Sequence, residues 1–152
     1  MSHETATRYF ADLRPGETFA LGSETVTEEE MLAFADRYDP QPMHTDPSAT
    51  EESLFDGVVA SGWYTVAVSM RRFVAGVVED AGVAVRAGVA VEELRWPTPV
   101  RPGDTLHGTA DLLDCEDWSE DLGVARFDLR MRTDDGEVVL ELTKQVLVER
   151  GV

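Results

Sequence analysis

The chain has 152 residues, 43% of them hydrophobic, which is the size of one domain with its own core, and we expect a single domain over 1–152. Its 30 acidic and 13 basic residues give a formal net charge of −17, and such a field repels a phosphate polyanion, which argues against a nucleic-acid partner. The sequence has neither an apolar run of membrane-spanning length nor a basic N-terminus followed by an apolar stretch, so we expect no membrane insertion, no export and a cytoplasmic location.

The first predicted elements are a strand over 17–26 and an amphipathic helix over 28–38. Thr27 followed by Glu30 is a capping-box pattern at the start of that helix. The apolar residues that follow recur at helical spacing: Met31, Phe34, Ala35 and Tyr38. Pro40 is expected to end the helix, so its last turn leads directly to Asp39.

The next stretch, YDPQPMHTDP over 38–47, contains an acid and an imidazole, Asp39 and His44, among prolines. Pro40 and Pro42 predict a rigid loop rather than a helix. A carboxylate and an imidazole that share one volume suit general acid/base chemistry near neutral pH. The alternatives are a helix-end or Asx-turn role for Asp39 and a structural role for His44. Beyond the loop, Asp46 or Ser48 is expected to cap a helical turn over 51–54.

From Ser61 to Val78 the apolar residues occupy nearly all faces of a predicted helix. Such a helix must be covered all round, and the rest of the chain supplies a sheet to do so. Strands are predicted over 83–96, with a bulge at 92–93, and then over 106–112, 125–131 and 138–148, with a hairpin turn at 134–136. The pattern indicates an α+β fold in which a curved antiparallel sheet surrounds one long helix.

Three segments in the same order carry a family resemblance. YDPQPMHTDP resembles the hydratase motif of the MaoC-like family within the hotdog fold, in which an Asp and a His flank an Asn/Gln–Pro core. VVASGWYT resembles the entry to that family's central helix, and WPTPVRPGDTL resembles the proline-rich loop and strand start that follow. Together they cover roughly residues 17–148.

The resemblance implies a hotdog domain that forms a homodimer or higher homo-oligomer by extending its sheet. It implies action on acyl thioesters of coenzyme A or acyl carrier protein, with coenzyme A as part of the substrate and no separate cofactor. The implied reaction is (R)-specific syn addition of water to a trans-2-enoyl thioester, or its reverse. A thioesterase on the same fold and a catalytically silent acyl-thioester-binding subunit are the alternatives.

The same resemblance assigns the site residues. Asp39 and His44 become the catalytic pair that holds a water, and the Gly62 N–H binds the thioester oxygen as negative charge develops. Gln41, Ser61 and Trp63 are expected to contact substrate, although Ser61 also suits a helix cap and Trp63 also suits the core. The chain departs from many such hydratases at Tyr38, where they have Gly, and at Gln41, where they have Asn.

The remaining charged and reactive residues receive weaker interpretations. Cys115 stands alone, so it predicts no disulfide and no cysteine metal site, and we assign no metal. Arg71–Arg72 and Arg101 are equal candidates for meeting a coenzyme phosphate. The acidic residues are spread along the whole chain, which favours a surface adapted to high salt and a halophilic source.

Overall fold

The computed structural model describes residues 6–48 and 54–151, and its main feature is one antiparallel sheet of five strands. The strands occur in the sheet in the order β1-β3-β4-β5-β2. Their bounds are β1 Thr18–Thr25, β2 Val85–Arg95, β3 Thr105–Asp117, β4 Leu122–Arg132 and β5 Val138–Glu149. The predicted strands are therefore confirmed, and so is the hairpin turn, in which Gly136 adopts the left-handed φ of 82°.

Alternation along the central strands builds the core. In β4 the four apolar residues of one face are buried, namely Ala125, Phe127, Leu129 and Met131. Charged residues occupy the other face of the same strand, as the two-residue period of a half-buried strand requires. The Phe127 ring meets the Phe73 ring edge to face at 5.3 Å between centroids, which joins the sheet to the long helix.

That long helix, α3, covers Gly62–Phe73 and continues as a π-helical segment, Val74–Asp80. One flank is buried: Phe73 packs on β4, and Tyr64 packs on Phe34 of an earlier helix in the chain. The expectation that the sheet covers the helix all round is wrong for the described chain, since Trp63 is 56% exposed and Met70 is also exposed. The sheet curves over one side of the helix only.

Strand β2 is the last strand of the sheet, and it pairs only with β5 in the part of the chain that the structure describes. The predicted bulge is present, because the register shifts between Glu92 and Arg95 and Glu93 has φ 51°. Val89 and Val91 are exposed despite their apolar character. One edge of the sheet therefore ends in a long, apolar and open strand.

The predicted amphipathic helix is confirmed as α1, Glu28–Tyr38. Thr27 caps it by accepting from the Glu30 N–H at 3.2 Å. The second half of the capping box is absent, because the Glu30 carboxylate accepts from the Tyr64 hydroxyl at 2.8 Å and from Arg71 instead. Contacts with α3 therefore hold the Glu30 side chain away from the N-terminus of its own helix. None of the described helices is long and apolar enough to cross a membrane.

Candidate active site

The end of α1 delivers the first site residue, Asp39. Its N–H donates to the Ala35 carbonyl at 2.8 Å and closes the last helical turn. Met31 and Ala35 bury the inner face of this helix, so the position of its end is set by the core. The Asp39 side chain is 17% exposed, which leaves it facing the site but partly shielded from water.

A four-residue helix, α2 Pro42–Thr45, delivers His44. The prediction of a loop without helix is wrong here. Pro42 is the first residue of the helix, where the missing N–H breaks no hydrogen bond and the fixed φ suits helical geometry. The turn folds the chain back and brings the His44 Nε2 to 3.5 Å from the Asp39 Oδ2.

The His44 ring is held by a buried backbone carbonyl. It is only 7% exposed, and its Nδ1 lies 2.8 Å from the Val59 carbonyl oxygen. A carbonyl oxygen can only accept a hydrogen bond, so the His44 Nδ1 carries a hydrogen. When the ring is neutral, Nε2 therefore has a lone pair, which faces Asp39. The Val59 N–H donates to the Met43 carbonyl at 3.0 Å, which fixes that segment against α2.

Two donors hold the Asp39 carboxylate. Gln41 Nε2 donates to Oδ1 at 2.7 Å, and Ser61 Oγ donates to Oδ2 at 2.7 Å. These hydrogen bonds, first from Gln41 and then from Ser61, lower the pKa of Asp39, and the neighbouring His44 adds to the effect. Asp39 is therefore held as an oriented carboxylate.

Ser61 joins the two halves of the site. It is fully buried, and its hydroxyl both donates to Asp39 and accepts from the Trp63 N–H at 3.3 Å, as the cap of α3. The cap interpretation therefore fits the geometry. A helix cap that also orients an acid was not foreseen, because the contact with Asp39 spans 22 residues of sequence.

Helix α3 begins at Gly62, and none of the described residues accepts a hydrogen bond from the Gly62 N–H. Free N–H groups and the positive end of the helix dipole make this position a site for developing negative charge. The absence of a side chain at 62 leaves room for an indole ring. A Cβ at 62 would lie 2.4 Å from Trp96 Cε2, so the indole fills that space.

Trp96 is the site residue that the sequence reasoning missed. Its Nε1–H donates to the Gly62 carbonyl at 2.9 Å, and its ring meets Trp63 edge to face at 5.4 Å. The one available signal was a large aromatic directly before Pro97, where a strand gives way to the proline-rich loop. Nothing local to that loop indicates that it folds onto the start of α3.

These residues surround a cavity of about 340 Å³. Its wall includes four of the predicted site residues: Asp39, His44, Gly62 and Trp63. Gln41 and Ser61 are absent from the wall and reach the site through Asp39, so their contact with substrate stays a prediction. The rest of the wall is mainly apolar and includes Phe55, Val59 and Trp96. Such a cavity suits a largely apolar group that carries one polar reacting centre.

Two other sequence interpretations concern neighbouring residues. Asp46 accepts at Oδ1 from the Ser48 N–H at 2.9 Å and from the Ser48 hydroxyl, and these bonds lower its pKa. The helical turn expected over 51–54 falls largely outside the described residues. Within 6–48 and 54–151, no three side chains of His, Cys, Asp or Glu are grouped as a metal site requires.

The comparisons with known proteins agree with this architecture. A family model described as a MaoC like domain matches residues 11–129. A MaoC-like dehydratase structure from Rhodospirillum rubrum is 34% identical, with a TM-score of 0.86 and coverage of 95% of this chain and 99% of that chain. An (R)-hydratase from A. caviae is 21% identical, with a TM-score of 0.70 over 88% of this chain and 96% of that chain, a likeness of fold alone.

A curated relative adds a named activity. The 3-hydroxyacyl-thioester dehydratase Z of Mycobacterium tuberculosis is 31% identical over 94 residues, which are 61% of this chain and 62% of that protein. The match thus covers less than two thirds of that relative's length. Because the family model covers most of the chain, the chain belongs to the MaoC-like dehydratase family, and its fold is the hotdog fold.

Proposed function

We propose that this protein catalyses the (R)-specific hydration of trans-2-enoyl-CoA thioesters to 3-hydroxyacyl-CoA, or the reverse dehydration. Membership of a dehydratase family gives the reaction class. The observation that carries the proposal is the pair of Asp39 and His44, 3.5 Å apart on the wall of a mainly apolar cavity. The Gly62 N–H lies beside this pair and has no acceptor among the residues that the structure describes.

The pair has the geometry to bind one water by both of its hydrogens. The Asp39 carboxylate and the His44 Nε2 lone pair are both acceptors, and two acceptors in contact repel each other unless a donor lies between them. A water that donates one hydrogen bond to Asp39 and one to His44 removes this repulsion. Its oxygen lone pairs then face the cavity, where the β-carbon of an enoyl group would lie.

In the forward reaction the water oxygen forms a bond to the β-carbon, and a proton passes from the water to the pair. We assign His44 Nε2 as the acceptor, because both Asp39 oxygens already accept hydrogen bonds from Gln41 and Ser61. The imidazolium that forms is stabilised by the adjacent carboxylate. The imidazolium then returns this proton from the same side to the α-carbon, which completes a syn addition and regenerates the neutral ring.

The electron pair of the double bond moves toward the thioester carbonyl during the attack. Negative charge then develops on the thioester oxygen, and the Gly62 N–H at the start of α3 is the donor proposed to bind it. An oxyanion donor of this kind is worth about 10²–10³ in rate. The residues proposed to activate the water thus lie at the end of α1 and in α2, whereas the proposed oxyanion donor lies at the start of α3. Ser61 connects these two parts of the site.

Crotonyl-CoA distinguishes this function from its alternatives. Hydration removes the enoyl-thioester absorbance without releasing thiol, whereas a thioesterase releases thiol and a silent binding subunit does neither. Both signals should be followed in one cuvette at high salt. Thiol release that keeps pace with the loss of absorbance would replace the hydratase proposal with the thioesterase one.

We further propose that the protein acts as a homodimer that uses the open β2 edge. An apolar groove of about 570 Å³ lies between the second half of α3, its π-helical extension and β2; we call it the β2 groove. Its wall includes Met70, Phe73, Val74, Val89 and Val91. Long apolar edge strands invite pairing, and an identical β2 strand about a two-fold axis would cover both edge and groove.

A further inference from the structure

The coenzyme A of the proposed substrate carries phosphates, yet the chain has a net charge of −17. A local cation near the cavity is therefore required if the proposed function holds, and the inference below rests on that function. The sequence left Arg71–Arg72 and Arg101 as equal candidates. The structure separates them by the partners that each guanidinium has.

Arg71 and Arg72 are already neutralised within the protein. Arg71 pairs with Glu24 and lies 3.0 Å from Glu30, and these two carboxylates raise its pKa further. Arg72 Nε lies 3.0 Å from the Glu24 carboxylate. The two arginines hold α3 to β1 and α1, so a phosphate would have to displace built ion pairs in order to bind them.

Arg101 is held by neutral acceptors instead. Its Nη1 donates to the Asp56 carbonyl at 3.0 Å, and its Nη2 donates to the Phe55 carbonyl. None of the ion pairs among the described residues involves Arg101. A guanidinium has five N–H donors, and the described residues accept hydrogen bonds from only two of those of the exposed Arg101.

The position of Arg101 is set beside the cavity. The residue before it, Val100, lines the cavity wall, and so does Phe55, whose carbonyl it binds. Asp56 and Gly57 have left-handed φ values of 54° and 117°, which form the turn that presents the two carbonyls. The carbonyl bonds thus fix the orientation of the guanidinium in advance, which lowers the entropic cost of binding an anion.

We propose that Arg101 is a phosphate-binding residue for the coenzyme A part of the substrate, at the rim of the cavity. The planar guanidinium matches two phosphate oxygens at once. The site therefore selects thioesters of a phosphorylated carrier over the same acyl group on a short, uncharged thiol.

The test compares crotonyl-CoA with crotonyl-N-acetylcysteamine, which presents the same enoyl thioester without phosphates. For Arg101→Gln we expect kcat/KM on crotonyl-CoA to fall about ten- to a hundredfold, and kcat/KM on the short thioester to stay within about twofold, as loss of a hydrogen bond between charged groups predicts. Arg101→Lys keeps the charge without the fork and should retain part of the preference for CoA.

Arg14→Gln is the matched control, because Arg14 also donates to backbone carbonyls, those of Ala11 and Leu13, and neither of these two partners lines the cavity, whereas Phe55 does. It should leave both substrates unchanged. Equal losses on both thioesters in Arg101→Gln would overturn the proposal, and so would an unchanged kcat/KM on crotonyl-CoA in that variant. Absence of hydration of either thioester by the unmodified protein would instead remove the proposed function itself.

Discussion

The two ends of the long helix differ in what surrounds them. At the start of α3, Ser61 and Gly62 meet a bonded carboxylate, an oriented imidazole and an indole. Around its end and the π-helical extension, the β2 groove is mainly apolar. Arg86 and Lys144 also line it, and the Lys144 amine lies 4.4 Å above the centre of the Phe73 ring. Burial lowers the pKa of Lys144, and no described carboxylate pairs with it. One helix thus has a polar end, where we propose that the chemistry occurs, and an apolar flank, where we propose that two copies assemble.

Substitution of Asp39 should cause the largest loss of activity. Asp39→Asn is expected to lower kcat by about 10²–10⁴, because the proposed base, His44, loses the carboxylate that binds the water with it and stabilises its imidazolium form. His44→Ala should act similarly. The matched control is Asp36→Asn, which makes the same charge change one turn earlier on the exposed face of α1. Full activity in either site variant, with the melting temperature unchanged, would remove that residue from the mechanism.

A charge placed on the apolar flank should break assembly. In Val91→Arg each copy would bring a buried cation to the two-fold interface, and like charges that meet there cost several kcal/mol. Sedimentation should then show a monomer at concentrations where the unmodified protein is a dimer. Leu113→Arg is the matched control, since Leu113 is 41% exposed on β3 and Val91 is 52% exposed on β2. An unmodified protein that sediments as a monomer would contradict the homodimer.

The fit between Gly62 and Trp96 can be tested by adding one methyl group. Gly62→Ala should reduce the free energy of unfolding by about 1–3 kcal/mol, because the new Cβ overlaps the indole. In a Trp96→Leu background the same substitution should cost much less. Urea unfolding of the four proteins in this cycle measures the difference. An equal cost in both backgrounds would show that the indole is not what excludes the side chain.

Loss of the Ser61 hydroxyl should have a smaller effect that depends on pH. The bond to Ser61 is one cause of the lowered pKa of Asp39, so Ser61→Ala raises that pKa, and the acidic limb of the pH–rate profile should move to higher pH. Because the pKa of Asp39 is lower in the folded protein than in the unfolded chain, its carboxylate stabilises the fold at pH values above the unfolded-state pKa. This contribution is lost as the pH falls through the folded-state pKa. In Ser61→Ala the difference between the two pKa values is smaller, so the contribution should be smaller too.

The fall in kcat at the optimum for Ser61→Ala should be about tenfold, as expected for one lost hydrogen bond to a charged group. Ser69→Ala removes a buried hydroxyl of the same helix, whose one partner among the described residues is the Val66 carbonyl. Its pH–rate profile should match that of the unmodified protein. An unmoved acidic limb in Ser61→Ala would mean that Ser61 acts only as a helix cap.

Salt should produce the smallest and most general effect. Repulsion among the excess carboxylates is screened by added ions, so the melting temperature should rise from low salt to molar potassium chloride. The activity per molecule should change less, because the Asp39 carboxylate is held by hydrogen bonds from Gln41 and Ser61 and is partly shielded from water. A melting temperature that is independent of salt would argue against a halophilic adaptation.

Residue patterns predict most of the fold and part of the site. The β4 alternation, the α1 period and the β2 bulge are local signals, and each is present in the structure. Contacts between distant segments leave no such signal. The bond from Ser61 to Asp39 and the packing of Trp96 on Gly62 join residues 22 and 34 positions apart, and only the folded chain brings them together.

The two tryptophans of the cavity wall make tryptophan fluorescence a probe of the cavity. Trp63 and Trp96 touch each other and the cavity, while Trp118, the third tryptophan of the chain, lies outside the wall. Indole emission depends on the polarity around the ring. In a Trp118→Phe background, all tryptophan fluorescence would therefore come from the site, and acyl-thioester binding could be followed directly in a protein whose chemistry has been silenced at Asp39.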